Sequence, residues 1–250
     1  MDFSNKTALI TGSGQGVGEG IARALASNGA NVCLVGRTLS KVEAVADDIN
    51  KAGGSAIAIE CDVKNNDSIN SSIEATLSKF NSLNILINNA QEVPLGNILD
   101  VTDESFINGW DSGPLATFRF MKSCYPHLKG GGKIINLASS SALRPDSNSY
   151  GAYAAVKESI RSLSRAAAVE WGPDNILVNC IMPLAKSAGM DWWMSEHPDE
   201  ANEFLKTIPL GRVGDCKDDI GQAVCHILSD GMNYITGSTI MLDGGQAYLR

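Results

Sequence analysis

The chain reads as an α/β protein: one domain over residues 1–250 built on a doubly wound, seven-stranded parallel sheet flanked by helices. Three observations predict it. Short β-branched runs alternate with longer segments of helical periodicity. A glycine-rich loop joins the first such run to the first helix. No linker, internal repeat or low-complexity stretch divides the chain.

The first strand is expected at Thr7–Thr11, followed by a helix over Val17–Asn28 in which Ala22, Leu25 and Ala26 recur at helical spacing. Further strands are expected at Asn31–Val35, Ser55–Cys61, Ile85–Asn88, Lys133–Ala138, Leu177–Ile181 and Thr239–Leu242. Helices are expected between them at Leu39–Ala52, Asn65–Phe80, Leu115–Leu128, Tyr153–Trp171 and Asp218–Ser229. The segment 184–210 contains no strand but carries adjacent tryptophans, Trp192 and Trp193. It follows the C-terminal end of a strand, the edge where ligands bind in such sheets, so it is expected to act as a substrate lid.

Composition narrows the function. A net charge of -8 with no Lys/Arg cluster argues against a general electrostatic role on nucleic acid or an anionic membrane, and neither partner is expected. Six scattered cysteines without a C-x-x-C pair read as small buried hydrophobes in a reducing compartment. His127, His197 and His226 lack metal-ligand spacing, so no metal is expected. With no signal-like N-terminus and no apolar run of spanning length, a cytoplasmic location is expected.

The loop Thr11-Gly12-Ser13-Gly14-Gln15-Gly16-Val17-Gly18 lies between a strand and a helix. Glycines let the backbone approach a pyrophosphate, and the helix N-terminus offers free N–H groups, so Gly12, Ser13, Gln15, Gly16, Val17 and Gly18 are assigned to a dinucleotide. The second strand leads into Gly36-Arg37-Thr38, with no acid to accept ribose hydroxyls. Arg37 suits a 2′-phosphate and Thr38 adds a hydroxyl, which favours NADP(H) over NAD(H). Asp62 and Val63 are placed at the adenine, and Asn89, Ala90 and Gln91 along the cofactor.

Tyr153 and Lys157 are four residues apart and share a helix face. A neighbouring ammonium and a positive nicotinamide favour the phenolate, so the tyrosine is expected to titrate below its usual range. Ser139, at the end of a strand, is placed to hydrogen-bond the substrate oxygen.

The motifs T-G-x-x-x-G-x-G, N-N-A, N-x-x-S and Y-x-x-x-K, with Leu242-Asp243-Gly244-Gly245, resemble the short-chain dehydrogenase/reductase family, in its order and over nearly the whole chain. The resemblance implies a Rossmann fold and an oxidoreductase that interconverts a ketone and a secondary alcohol. It implies Ser139 and Tyr153 at the substrate oxygen, and Lys157 on the ribose and the tyrosine. It also implies Pro183 and Leu184 near the nicotinamide and a homotetramer or homodimer.

Three departures stand out: Gln91 replaces a glycine, Leu184 replaces another, and Gly113 stands where the family has a helix asparagine. Pro114 is expected to break that helix and free the Trp110 carbonyl to hold a relay water. The stretches Asn88–Gln91, Ser112–Phe118 with Cys124–Lys129, and Cys180–Ala185 resemble bacterial 12α-hydroxysteroid dehydrogenases that act on bile acids. That likeness points to a hydroxysteroid or another bulky cyclic substrate, with Ser139, Gln91, Trp192 and Trp193 as its contacts. Two alternatives remain. Tyr150 and Lys157 also fit the spacing of enoyl-thioester reductases, and the lost asparagine would suit a non-catalytic NADP-binding sensor.

Overall fold

A computed structural model describes residues 1–143 and 150–247. Its sheet holds seven strands: β1 (Thr7–Thr11), β2 (Asn31–Gly36), β3 (Ser55–Glu60), β4 (Ile85–Asn88), β5 (Lys133–Leu137), β6 (Leu177–Pro183) and β7 (Thr239–Leu242). Their order is β3-β2-β1-β4-β5-β6-β7, and every pairing is parallel.

The main helices are α1 (Gly16–Ser27), α2 (Leu39–Lys51), α3 (Asn66–Phe80), α4 (Asp103–Trp110), α5 (Ala116–Leu128), α6 (Gly151–Trp171), α7 (Ala188–Glu196), α8 (Pro198–Lys206) and α9 (Gln222–Leu228). Both faces of the sheet are covered, which is why β1 is buried along its whole length. Alternate residues serve opposite cores. Ile10 packs with Ile21, Leu25 and Val224, whereas Leu9 packs with Leu86, Phe120 and Ile134.

The strands fall where the sequence places them, with ends shifted by one or two residues. The helices differ more. Neither α4 nor the pair α7 and α8 is expected from periodicity, because each is short and carries little buried surface of its own. Their caps are legible in retrospect: Thr102 Oγ1 accepts from Ser105 N–H, Ser187 Oγ accepts from Met190 N–H, and Pro198 opens α8.

Pro114 does break the helix ladder, but without unwinding it. Asp111–Leu115 switches to π spacing, and the Ala116 N–H reaches back to Asp111 O. A second π turn, Cys216–Gly221, precedes α9 within the single helix expected at Asp218–Ser229.

The strand order reverses direction between β1 and β4, which opens a crevice at the C-terminal edge of the sheet. Gly12, Arg37, Asp62, Asn89, Ser139 and Leu184 each lie just past the C-terminal end of a strand.

Candidate active site

The crevice beside β1 and β4 is a cleft of about 330 Å³. Gly12, Gln15, Gly16, Arg37, Thr38, Asp62, Val63, Asn89, Ala90 and Gln91 line it, together with Gly14, Lys41, Cys61, Glu92 and Ser112, which are not assigned to the site from the sequence. Gly12 and Gly16 turn the loop through positive φ, 64° and 60°. Gln15 precedes α1 without a side-chain cap, so the first N–H groups of the helix have no side-chain acceptor. Val17 and Gly18 follow within α1, and Ser13 is fully buried beneath the loop with an unpartnered Oγ. An uncapped helix start, glycines open to the cleft and a spare buried hydroxyl fit the pyrophosphate of a dinucleotide.

Asn89 holds this loop in place. Its Nδ2 donates to Thr11 O (2.9 Å) and Gly12 O (3.0 Å), and the Asn89 and Ala90 N–H groups donate to Thr11 Oγ1. A Cβ on Gly18 would lie 2.5 Å from both the Asn89 amide nitrogen and Gly12 O, so the clamp requires glycine there. Asp62 lines the cleft while its Oδ1 also accepts from Lys64 N–H (3.0 Å), which pins the turn before α3.

Ser139 follows β5, and its Oγ accepts from Ser141 N–H (3.2 Å). Tyr153 and Lys157 sit one turn apart on α6, with the lysine Nζ 5.7 Å from the tyrosine ring centre. Lys157 is buried, and its Nζ donates to Leu137 O (2.8 Å) at the end of β5. A polar chain aligns these elements: Asn88 Nδ2 donates to Asn136 Oδ1 (2.8 Å), and Asn136 Nδ2 donates to Ser164 Oγ (2.9 Å) on α6. The sequence hints of it are Asn88 closing β4 and a polar Asn136 inside the apolar strand β5.

The tyrosine departs from expectation. Burial pushes the Tyr153 phenol up to about 12, opposed by the hydrogen bond with Ser139. Burial likewise pushes Lys157 down to about 8. The lowered phenol expected from the sequence is therefore not a property of the protein alone.

Gly113 and Gln91 explain one another. A Cβ on Gly113 would lie 2.2 Å from Gln91 Oε1, so the long amide occupies the space that a side chain at 113 would take. Gln91 Nε2 donates to Gly109 O (2.8 Å) and Glu92 O (2.6 Å), while its Oε1 is buried without a partner. In this turn the carbonyl engaged by that side chain is that of Gly109.

A family profile described as Enoyl-(Acyl carrier protein) reductase matches residues 12–247. A 12alpha-hydroxysteroid dehydrogenase from Clostridium sp. is 37% identical, over 97% of this chain and 97% of that protein. The chain belongs to the short-chain dehydrogenase/reductase family.

Other members share its shape and length. A 3-oxoacyl-[acyl-carrier-protein] reductase from Chlamydia trachomatis is 32% identical, over 97% of this chain and 98% of that one. The crystal structure of a 3-ketoacyl-(acyl-carrier-protein) reductase from Brucella melitensis, complexed with NADH, superimposes with a TM-score of 0.88 at 30% identity. That match covers 98% of this chain and 99% of the Brucella chain.

Ser13, Val17, Gly18, Ser139, Tyr153 and Lys157 are not in the cleft lining of this short-chain dehydrogenase/reductase, and neither are the expected contacts Pro183, Leu184, Trp192 and Trp193. Pro183 ends β6, and Leu184 lines a separate hollow with Leu242, Asp243 and Gly244. Trp193 packs edge-to-face on Phe204 (5.8 Å between ring centres), joining α7 to α8, whereas Trp192 is 63% exposed. The adjacent tryptophans thus face different surroundings, as residues 100° apart on a helix must.

Proposed function

We propose that this short-chain dehydrogenase/reductase is an NADP(H)-dependent enzyme that interconverts a ketone and a secondary alcohol, with a bulky cyclic substrate such as a hydroxysteroid. The observation that carries the chemistry is the buried Lys157, tied to Leu137 O and one helical turn from Tyr153, whose phenol Ser139 pulls down against the effect of burial. A bound nicotinamide would supply the hydride for reduction or take it up in oxidation. A phenol near 12 is protonated at neutral pH, the form that can give a proton to a carbonyl oxygen as it becomes an alkoxide. The Ser139 hydroxyl donates to the same oxygen and polarises it. Lys157, still largely an ammonium at neutral pH, steadies the phenolate left behind. Oxidation runs through the same groups in reverse.

NADP(H) is favoured by Arg37 and Thr38 at the end of β2, a strand end that itself carries no acid to accept ribose hydroxyls. The hydroxysteroid reading rests on the 37% identical Clostridium protein, and α7 with α8 would cover such a substrate. A homotetramer or homodimer in the cytoplasm completes the proposal.

The matching profile's description favours one second reading, reduction of a carbon–carbon double bond through Tyr150. The ring of Tyr150 lies 6.2 Å from that of Tyr153 and opens α6. Substitution separates the two. Tyr153→Phe is expected to lower kcat for ketone reduction by roughly 10²–10⁴-fold, with Tyr150→Phe retaining most activity. Full ketone reduction by Tyr153→Phe would overturn the assignment.

A further inference from the structure

We propose that Glu92 is a carboxylate latch on the nucleotide cleft, which a 2′-phosphate must displace from Arg37 to bind. This rests on the NADP(H) reading above and adds a residue to it that no motif marks.

Glu92 Oε1 pairs with two cations at once, Arg37 Nη1 (2.5 Å) and Lys64 Nζ (3.1 Å). These come from three different strand ends: Glu92 follows β4, Arg37 follows β2 and Lys64 follows β3. The carboxylate therefore spans the mouth of the cleft that Arg37, Asp62 and Glu92 all line. Its backbone is fixed. The Glu92 N–H donates to Ser112 Oγ (2.9 Å) in the π turn, and its carbonyl accepts from Gln91 Nε2 (2.6 Å).

The two cations differ in freedom. Lys64 has 27% of its side chain exposed and also donates to Asn108 Oδ1 (3.2 Å), so it is anchored. Arg37 is 59% exposed and Glu92 is its sole side-chain partner among the described residues, so it is the arm that can leave. A 2′-phosphate offers the guanidinium a second, more highly charged anion. Exchange leaves Glu92 neutralised by Lys64 rather than stranded. A ligand with a plain ribose offers no such anion, and the Arg37–Glu92 pair stays closed. Lys41 is the remaining cation on this wall, and its Nζ already donates to Gln15 Oε1 (2.9 Å).

The test is calorimetric binding of 2′,5′-ADP and of 5′-AMP to the wild type, Glu92→Gln and Arg37→Ala, with thermal melting as a check on folding. Glu92→Gln is expected to tighten 2′,5′-ADP by ~2–5-fold, the scale of an exposed ion pair, and to leave 5′-AMP unchanged. The gain should shrink as salt rises through physiological strength. Equal tightening of both ligands, or no tightening of 2′,5′-ADP, overturns the latch. Arg37→Ala reports separately on the cofactor reading: if it leaves the preference for 2′,5′-ADP intact, Arg37 is not the phosphate ligand and that reading fails.

Discussion

Lys157 is the side chain on which desolvation and function pull hardest against each other. Its ammonium is buried with one backbone acceptor, Leu137 O, and burial brings its pKa down to about 8. The unfolded chain holds the proton until about 10.4. Below pH 8 both states are charged, so the folded state bears the full cost of burying that charge. Between 8 and 10.4 the folded lysine loses its proton first, and the cost is relieved as pH rises. Lys157→Met is therefore expected to melt above the wild type near neutral pH, by an amount worth on the order of a few kcal/mol, with the gap closing by about pH 10.4. A constant gap across that range would mean that the ammonium is not buried. The same variant should be inactive, since it removes the charge that the proposed mechanism uses to hold the phenolate.

At the scale of elements, the strand ends and the π turn do most of the positioning. The glycine loop, Ser139, Tyr153 and Lys157 were legible because each motif has a fixed offset from a strand or a helix start. Gly113 was legible only as a gap. Its meaning required the third dimension, because Gln91 is far away in sequence and fills the space from the end of β4. Gly113→Asn alone should clash with Gln91 and lower both activity and melting temperature, by about 1–3 kcal/mol for the overpacking. Adding Gln91→Gly empties that space, so the double variant should recover much of the lost stability. Strictly additive losses would mean that the two residues do not share one volume. Helices α7 and α8 stayed hidden for a different reason. Each has nine residues, and Trp193 is satisfied within the pair by Phe204 rather than by a periodic core face.

The whole molecule joins a rigid crevice to a pair of cations bridged by one acid. The switch in strand order between β1 and β4 sets the place of the nucleotide cleft, and β5 with α6 sets the place of the proposed proton donor. The sequence carried this layout because alternating apolar periods specify a doubly wound sheet with few other solutions. It did not carry Glu92, whose importance comes from three loops meeting at one point.

The most direct test is steady-state reduction of a ketone panel with NADPH and with NADH, spanning 12-oxo bile acids, small cyclic ketones and 3-ketoacyl thioesters. Reduction of a ketone is expected, with kcat/KM favouring NADPH by roughly 10–100-fold, the worth of a charge-assisted bond to the 2′-phosphate, and with the bulky cyclic ketones leading. Tight NADPH binding without turnover of any ketone, or an equal preference for NADH, would contradict it.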